Sequence, residues 1–449
     1  MQIIRWILAF VFIGLVSACD EAPKQDASPQ PAQSDNTARL TAHGKLFKKE
    51  IINPAPGVYV ATGYGLANSI MLEGDDGVVI VDTLEGRPQA QAALADFRKL
   101  TKKPVKAIIL THNHTDHVFG GRVFAEVELA KGLKVPVYAH RTTESYIDKI
   151  VNVLADTIFA RSMHMFGSLL PDDQVLNAGI GPHLKADTTQ LALLRPTIVF
   201  DKTLDITVAG LHLKLLHMPG ETEDQIAVWW PERKILLPGD NIYKAFPNLY
   251  TIRGTANRDL MQWVHSLDRL RDLNASLIVP SHTRPLAGAN KIEGVLRAYR
   301  DAIQYVHDQT VRGINKGMTP GQLVDYVKLP PHLRDHPWLT EFYGTVAWSV
   351  RAVFAGYLGW FDGDPTTLEP LSDKDRSGRL VAAFAAEKPL SDQARAAHTK
   401  GDQQWAGELA RHWLNVEPDS AAAKSLLASI LKAKAENHIN PNARHWYLT

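Results

Sequence analysis

The sequence predicts an α/β domain followed by an all-helical one, and three observations carry that expectation. Between residues 77 and 282, short apolar runs end in turns bearing polar residues, the pattern of buried strands that deliver side chains to one edge of a sheet. After residue 290 the apolar positions change to helical spacing. A chain of 449 residues with 45% apolar content can also bury a large core, which suits two domains.

The chain opens with a secretion signal. Arg5 supplies the positive start, Trp6 to Val16 form a short apolar stretch, and Val16-Ser-Ala-Cys19 resembles the bacterial lipobox. Cleavage before Cys19, the one cysteine in the chain, would leave residues 1–18 as signal peptide and a diacylated Cys19 as membrane anchor at the cell envelope. Residues 19–38, rich in Asp, Gln, Pro, Ser and Ala, read as a flexible tether.

Residues 39–290 carry the strands and their ligand-bearing turns. Gly77-Val-Val-Ile-Val-Asp82 is a buried strand ending in a carboxylate, and Ala107-Ile-Ile-Leu110 runs directly into Thr111-His-Asn-His-Thr-Asp-His117. Imidazoles two residues apart, His112 and His114, can converge on one divalent ion. Asp116 and His117 turn toward a second ion beside it. That loop supplies two ligands to each ion, so other strand ends must complete them. Leu213-Lys-Leu-Leu-His-Met-Pro-Gly-Glu221, Lys234-Ile-Leu-Leu-Pro-Gly-Asp240 and Leu277-Ile-Val-Pro-Ser-His282 each read as strand, turn and ligand. Asp82 suits an outer role, accepting a hydrogen bond that orients a ligand imidazole.

An insertion between Leu154 and Leu184 (Ile158, Phe159, Met163, Met165, Phe166, Leu169, Leu170) could roof a channel for an alkyl chain or pack against the helices that follow. Residues 291–449 read as all-helical. Ile292, Val295, Leu296, Tyr299, Ile303 and Val306 keep helical spacing, and Thr319-Pro-Gly-Gln322 is a capping box with proline at the first helical position. Gly401, Ala406 and Pro418 are spaced as in a tetratricopeptide hairpin, followed by the amphipathic stretch Ala421 to Ala435. A formal net charge of +1 with 22% charged residues gives no basic field for nucleic acid, so the partner expected is a small molecule.

The order of these ligands resembles the metallo-β-lactamase fold family, over residues 39–290, and implies an αββα sandwich with its ligands along one edge. In most of that family the turn after Met218-Pro-Gly carries histidine. Here Glu221 stands there, which, with Asn248-Leu-Tyr-Thr-Ile-Arg253-Gly, resembles the alkylsulfatase branch. Met163-His-Met-Phe-Gly-Ser-Leu-Leu-Pro171, Tyr299 to His307, Lys328-Leu-Pro-Pro-His332 and Gly356 to Gly363 add to that resemblance.

Carried over, the resemblance implies two zinc ions, one held by His112, His114 and Glu221 and the other by Asp116, His117 and His282, with Asp240 between them. Asp116 and Asp240 become the candidate catalytic carboxylates. Asn248 and Arg253 would hold the sulfate, and a planar guanidinium fork does fit a tetrahedral oxyanion. The helical domain would make a homodimer. The function implied is hydrolysis of alkyl sulfate esters by a metal-activated water. The chain also departs from the branch: Asp240 replaces a glutamate, Lys244 and Pro247 replace histidines near Asn248, and Trp348 replaces another. The usual proton donor is thereby missing, with His164 or Tyr250 as substitutes. These departures keep a lactonase or phosphoesterase of the same fold as an alternative, with a membrane-tethered binding scaffold behind it.

Overall fold

The computed structural model describes residues 34–184, 190–385 and 388–449. The expected signal segment and Cys19 lie outside the described residues, as does the expected tether up to residue 33. Its last residues, 34–38, instead begin the helix Ser34–Gly44, which is pinned at its start: Asn36 Nδ2 donates to Asn437 O and Thr37 Oγ1 to Glu436 O, while Leu40 is fully buried.

Two sheets form the centre of the molecule. The first has seven strands in sequence order: β1 Glu50–Ala55, β2 Val58–Thr62, β3 Ser69–Glu73, β4 Val78–Val81, β5 Val105–Ile109, β6 Val137–His140 and β7 Ile198–Phe200. The second has six, β8 Thr203–Val208, β9 Leu211–His217, β10 Ile226–Trp230, β11 Ile235–Leu237, β12 Leu277–Ile278 and β13 Leu286–Ala287, also in sequence order. From β4 to β7 the pairs are parallel, and so is β11 with β12; the other pairs are antiparallel.

Alternation along the strands sorts side chains into layers. Val79 and Val81 of β4, Leu213 and Leu215 of β9, and Ile226, Val228 and Trp230 of β10 meet in one apolar cluster between the sheets. Val78 and Ile80 point the other way, to Ala90, Ala93 and Phe97 of helix Arg87–Leu100. Ala227 and Trp229 face Trp263, Val264 and Leu267 of helix Leu260–Asp272. This is the αββα sandwich. Period-two side-chain alternation with both faces apolar requires cover on both sides, and helices provide it.

Helix Ala289–Ile314 follows without a break in the core. Ile292, Val295, Leu296, Tyr299, Ile303 and Val306 are all buried in the same cluster as Trp263, so the apolar core runs continuously across residue 290. The capping box at Thr319 forms as expected, with both of its reciprocal hydrogen bonds, and opens helix Pro320–Tyr326. Helices Leu390–Thr399, Gln403–Val416 and Ala421–Glu436 then stack through Leu390, Ala394, Ala406, Leu409, Leu426 and Ile430. Gly401 turns the chain between the first two at φ +85°, a backbone that L side chains rarely adopt. Among the described residues no helix is long and apolar enough to cross a membrane.

Candidate active site

Parallel pairing puts the C-terminal ends of β4 and β5 at the same edge, so Asp82 and the loop His112–His117 emerge side by side. On the facing sheet β11 and β12 do the same for Asp240 and His282, and the β9–β10 turn brings Glu221. The sandwich thus gathers ligands from both sheets.

Asp82 is the anchor of this edge. Its φ is +58°, a left-handed conformation that costs a non-glycine residue roughly 1 kcal/mol and is retained where surroundings over-determine it. Its carboxylate accepts from Thr111 N (2.8 Å), Thr111 Oγ1 (2.8 Å) and Ser281 Oγ (2.7 Å), and meets His117 Nδ1 at 2.8 Å. A carboxylate with those donors must accept from His117, which leaves His117 Nε2 as the free lone pair. The Leu66 carbonyl does the same for His282, accepting from Nδ1 at 2.9 Å.

Two groups of three ligand atoms result, each lying within 4.8 Å of one another: His112, His114 and Asp240, and Asp116, His117 and His282. Asp240 Oδ2 links them, at 3.1 Å from His282 Nε2, 3.4 Å from His117 Nε2 and 3.7 Å from His112 Nε2. Asp116 Oδ2 stands 3.3 Å from His282 Nε2 and 3.4 Å from His117 Nε2. His117 Nε2, His282 Nε2, Asp240 Oδ1 and Glu221 Oε2 are buried without a hydrogen-bond partner. Orphaned atoms of these types suit divalent metal, and imidazole with carboxylate suits zinc.

Electrostatics agree. Burial lowers His117, yet Asp240, Asp116 and Asp82 outweigh it and hold the imidazole well above its usual range; the same balance takes His282 up to about 10. Asp116 and Asp240 stay well below theirs despite burial, because these imidazoles face them. Burial, with His117 beside it, pushes His112 down to about 3.

The two candidate groups differ from the ligand sets that the resemblance implied. The His112 and His114 group is completed by Asp240, and Glu221 belongs to neither group. Glu221 is ion-paired with Arg258, whose Nη1 donates to Glu221 Oε1 at 2.8 Å and also to the Asn248 carbonyl. Burial pushes Glu221 up to about 7 even with Arg258 opposing. Arg258 was not expected from the sequence. Within Thr255-Ala-Asn-Arg-Asp it reads as a surface arginine, but Asp259 caps the next helix by accepting from Met261 N and Gln262 N, and its neighbour Arg258 is only 6% exposed. Glu85 was also missed. Burial first and Asp116 next push its carboxyl up to about 8, and it accepts from Leu66 N.

A cavity of about 580 Å³ opens beside this cluster, lined by His114, Glu221, Arg253 and Arg258 and by Leu154 and Ile158 of the insertion. A smaller one, about 60 Å³, is lined by Asp116, Asp240, His282, Glu85 and again Arg253. Asn248 lines neither; it is buried, with its N–H donating to Tyr243 Oη at 2.8 Å. The insertion divides its work. Ile158 faces both cavities from helix Ala155–Met165, Phe166 lines the smaller one and packs with Met165, Ala178, Ile180 and Tyr343, and Phe159 is exposed. His164 turns away from the cavity to stack on Trp446, and Tyr250 lines neither space.

Comparison with known proteins accords with this geometry. The metallo-beta-lactamase superfamily matches residues 62–282, and the alkyl sulfatase dimerisation family matches residues 319–449. A linear primary-alkylsulfatase of Pseudomonas sp. (strain ATCC 19151) is 41% identical over 84% of this chain and 72% of its own length. Another, from Pseudomonas sp., is 32% identical over 88% of this chain and 59% of its own. The solved structure of the stereoselective inverting sec-alkylsulfatase Pisa1 from Pseudomonas sp. superposes with a TM-score of 0.86 at 27% identity, covering 91% of this chain and 66% of that one. The chain belongs to the alkylsulfatase family, hydrolases built on the metallo-β-lactamase fold. It spans roughly two thirds of the length of these relatives.

Proposed function

We propose that this enzyme hydrolyses alkyl sulfate esters with two zinc ions, held by His112, His114 and Asp240 and by Asp116, His117 and His282, with Glu221 beside the first. When bound, such a pair supplies Lewis acidity and makes water a competent nucleophile at neutral pH. The residues do the rest. Asp82 and the Leu66 carbonyl orient two ligand imidazoles, Arg253 binds the anionic ester, and Leu154 and Ile158 keep water from the alkyl chain. Glu85 lines the smaller cavity beside Asp116. The observation that supports this reading is one guanidinium, Arg253, facing both cavities beside the ligand cluster and an apolar wall.

The test is metal content together with hydrolysis of a panel of alkyl sulfate, alkyl phosphate and lactone substrates. We expect about two zinc ions per chain and turnover of the sulfate. Arg253→Ala should keep its zinc yet lose roughly 2–4 kcal/mol of transition-state stabilisation, the size of deleting one charged donor to a developing anion. Wild-type rates from Arg253→Ala, or a protein that ignores sulfates and opens lactones, would leave only the metallohydrolase.

The proposal extends to location. The Val16-Ser-Ala-Cys19 sequence supports lipid anchoring at the cell envelope. Cys19→Ser should release the protein from the membrane fraction; retention through a high-salt wash would overturn the anchor.

A further inference from the structure

The C-terminal helix Pro441–Leu448 lies against the roof of the cavity rather than among the other terminal helices alone. His445 Nδ1 meets the Met165 carbonyl at 3.0 Å, His164 Nδ1 meets Thr449 Oγ1 at 2.7 Å, and the His164 ring stacks on Trp446 with centroids 4.8 Å apart and planes 18° apart. The helix is itself anchored on the other side. Asn440 Nδ2 donates to the carbonyls of Glu341 (3.0 Å) and Tyr343 (2.7 Å), and its Oδ1 caps Ala443 N at 3.1 Å.

Arg161 connects this contact to the anion site. Its guanidinium lies over the Trp446 ring, 5.5 Å from the centroid, within the range of a cation–π contact. The same guanidinium donates from Nε to the Arg253 carbonyl at 2.7 Å and from Nη2 to the Ile252 carbonyl at 2.6 Å. One residue earlier, Thr251 Oγ1 donates to Met165 Sδ at 3.2 Å. The loop that presents Arg253 is therefore held from above by the roof helix, and the roof helix by the C-terminal one.

We infer that Trp446 and Arg161 are positioning residues for the anion site: Trp446 sets the plane of Arg161, and Arg161 grips the two carbonyls that place the Arg253 guanidinium. This rests on the reading that Arg253 binds the ester. A planar guanidinium can bridge two successive carbonyls and present its face to an indole at once, which neither lysine nor a hydroxyl can do. A displacement of about 1 Å at a group facing developing charge is enough to cost on the order of a hundredfold in rate. The helical terminal region thereby contributes to catalysis from outside the cavity.

The experiment uses the full-length, metal-loaded enzyme with octyl sulfate. Trp446→Leu should keep wild-type metal content while kcat/KM falls about tenfold or more, and Trp446→Phe, which retains an aromatic face, should recover most of it. In an Arg253→Ala background, Trp446→Leu should cost nothing further, because residues acting through one another are non-additive. Independently of turnover, amide hydrogen exchange in residues 251–254 should accelerate about tenfold in both Trp446→Leu and Arg161→Gln. Additive losses, or unchanged exchange in that loop, would overturn the inference. Should the wild type ignore octyl sulfate, the sulfatase reading fails, and the exchange result still decides whether the brace exists.

Discussion

Replacing Asp240 with alanine should empty both metal sites at once and lower turnover at least about a thousandfold, the loss of several kcal/mol of transition-state stabilisation. The expectation follows from position. A single oxygen, Oδ2, lies within 3.7 Å of three imidazoles that belong to two different ligand groups, and the other carboxylate oxygen is buried without a partner. The other carboxylate of the loop, Asp116, pairs with His117 and His282 of one group. Were two zinc ions held as proposed, losing this shared carboxylate would take a ligand from the first and the countercharge from the second. Metal analysis of Asp240→Ala after dialysis, beside initial rates on an alkyl sulfate, checks it. Full metal content with wild-type rates would show that the metals are held elsewhere.

The loop that contributes to both candidate ligand groups was legible because its chemistry is dense and local: His112, His114, Asp116 and His117 fall within six consecutive positions after an apolar strand. The sandwich was legible for a related reason. Its strands alternate between two apolar faces, and that pattern with family-specific runs such as the one ending in Arg253 reports a layered α/β domain. What escaped was whatever depends on distance across the chain. Glu221 looks like an ordinary third ligand in the turn after β9, and its engagement with Arg258 depends on residues 37 positions apart meeting in the fold. Glu85 carries no motif; only its burial beside Leu66 and Asp116 raises its pKa. The two readings of the insertion were left open, and the structure uses both, since one helix face lines the cavity and its C-terminal end packs beneath.

Arg258→Met should destabilise the metal-stripped protein by about 3–5 kcal/mol, the usual loss when one partner of a buried ion pair is removed. Both side chains are 2% exposed, and burial already pushes Glu221 up to about 7 with Arg258 opposing, so without Arg258 its carboxyl would have to take up a proton or hold a charge without a partner, and the Asn248 carbonyl would lose its donor as well. Methionine roughly matches the stem of arginine, which limits any cavity term. The cause can be separated from simple loss of packing. With Glu221→Gln added, the uncompensated charge disappears, and the double variant should recover most of the lost stability even though it contains one more substitution. Denaturant midpoints of the single and double variants measure this directly. An unchanged midpoint in Arg258→Met would show that the pair contributes nothing, and a double variant no more stable than the single would place the loss in packing rather than charge. Activity should fall in the same direction in Arg258→Met, because the residue that holds Glu221 beside His114 also holds the main chain of Asn248. With that strap gone, the carboxylate and the amide are no longer fixed relative to one another.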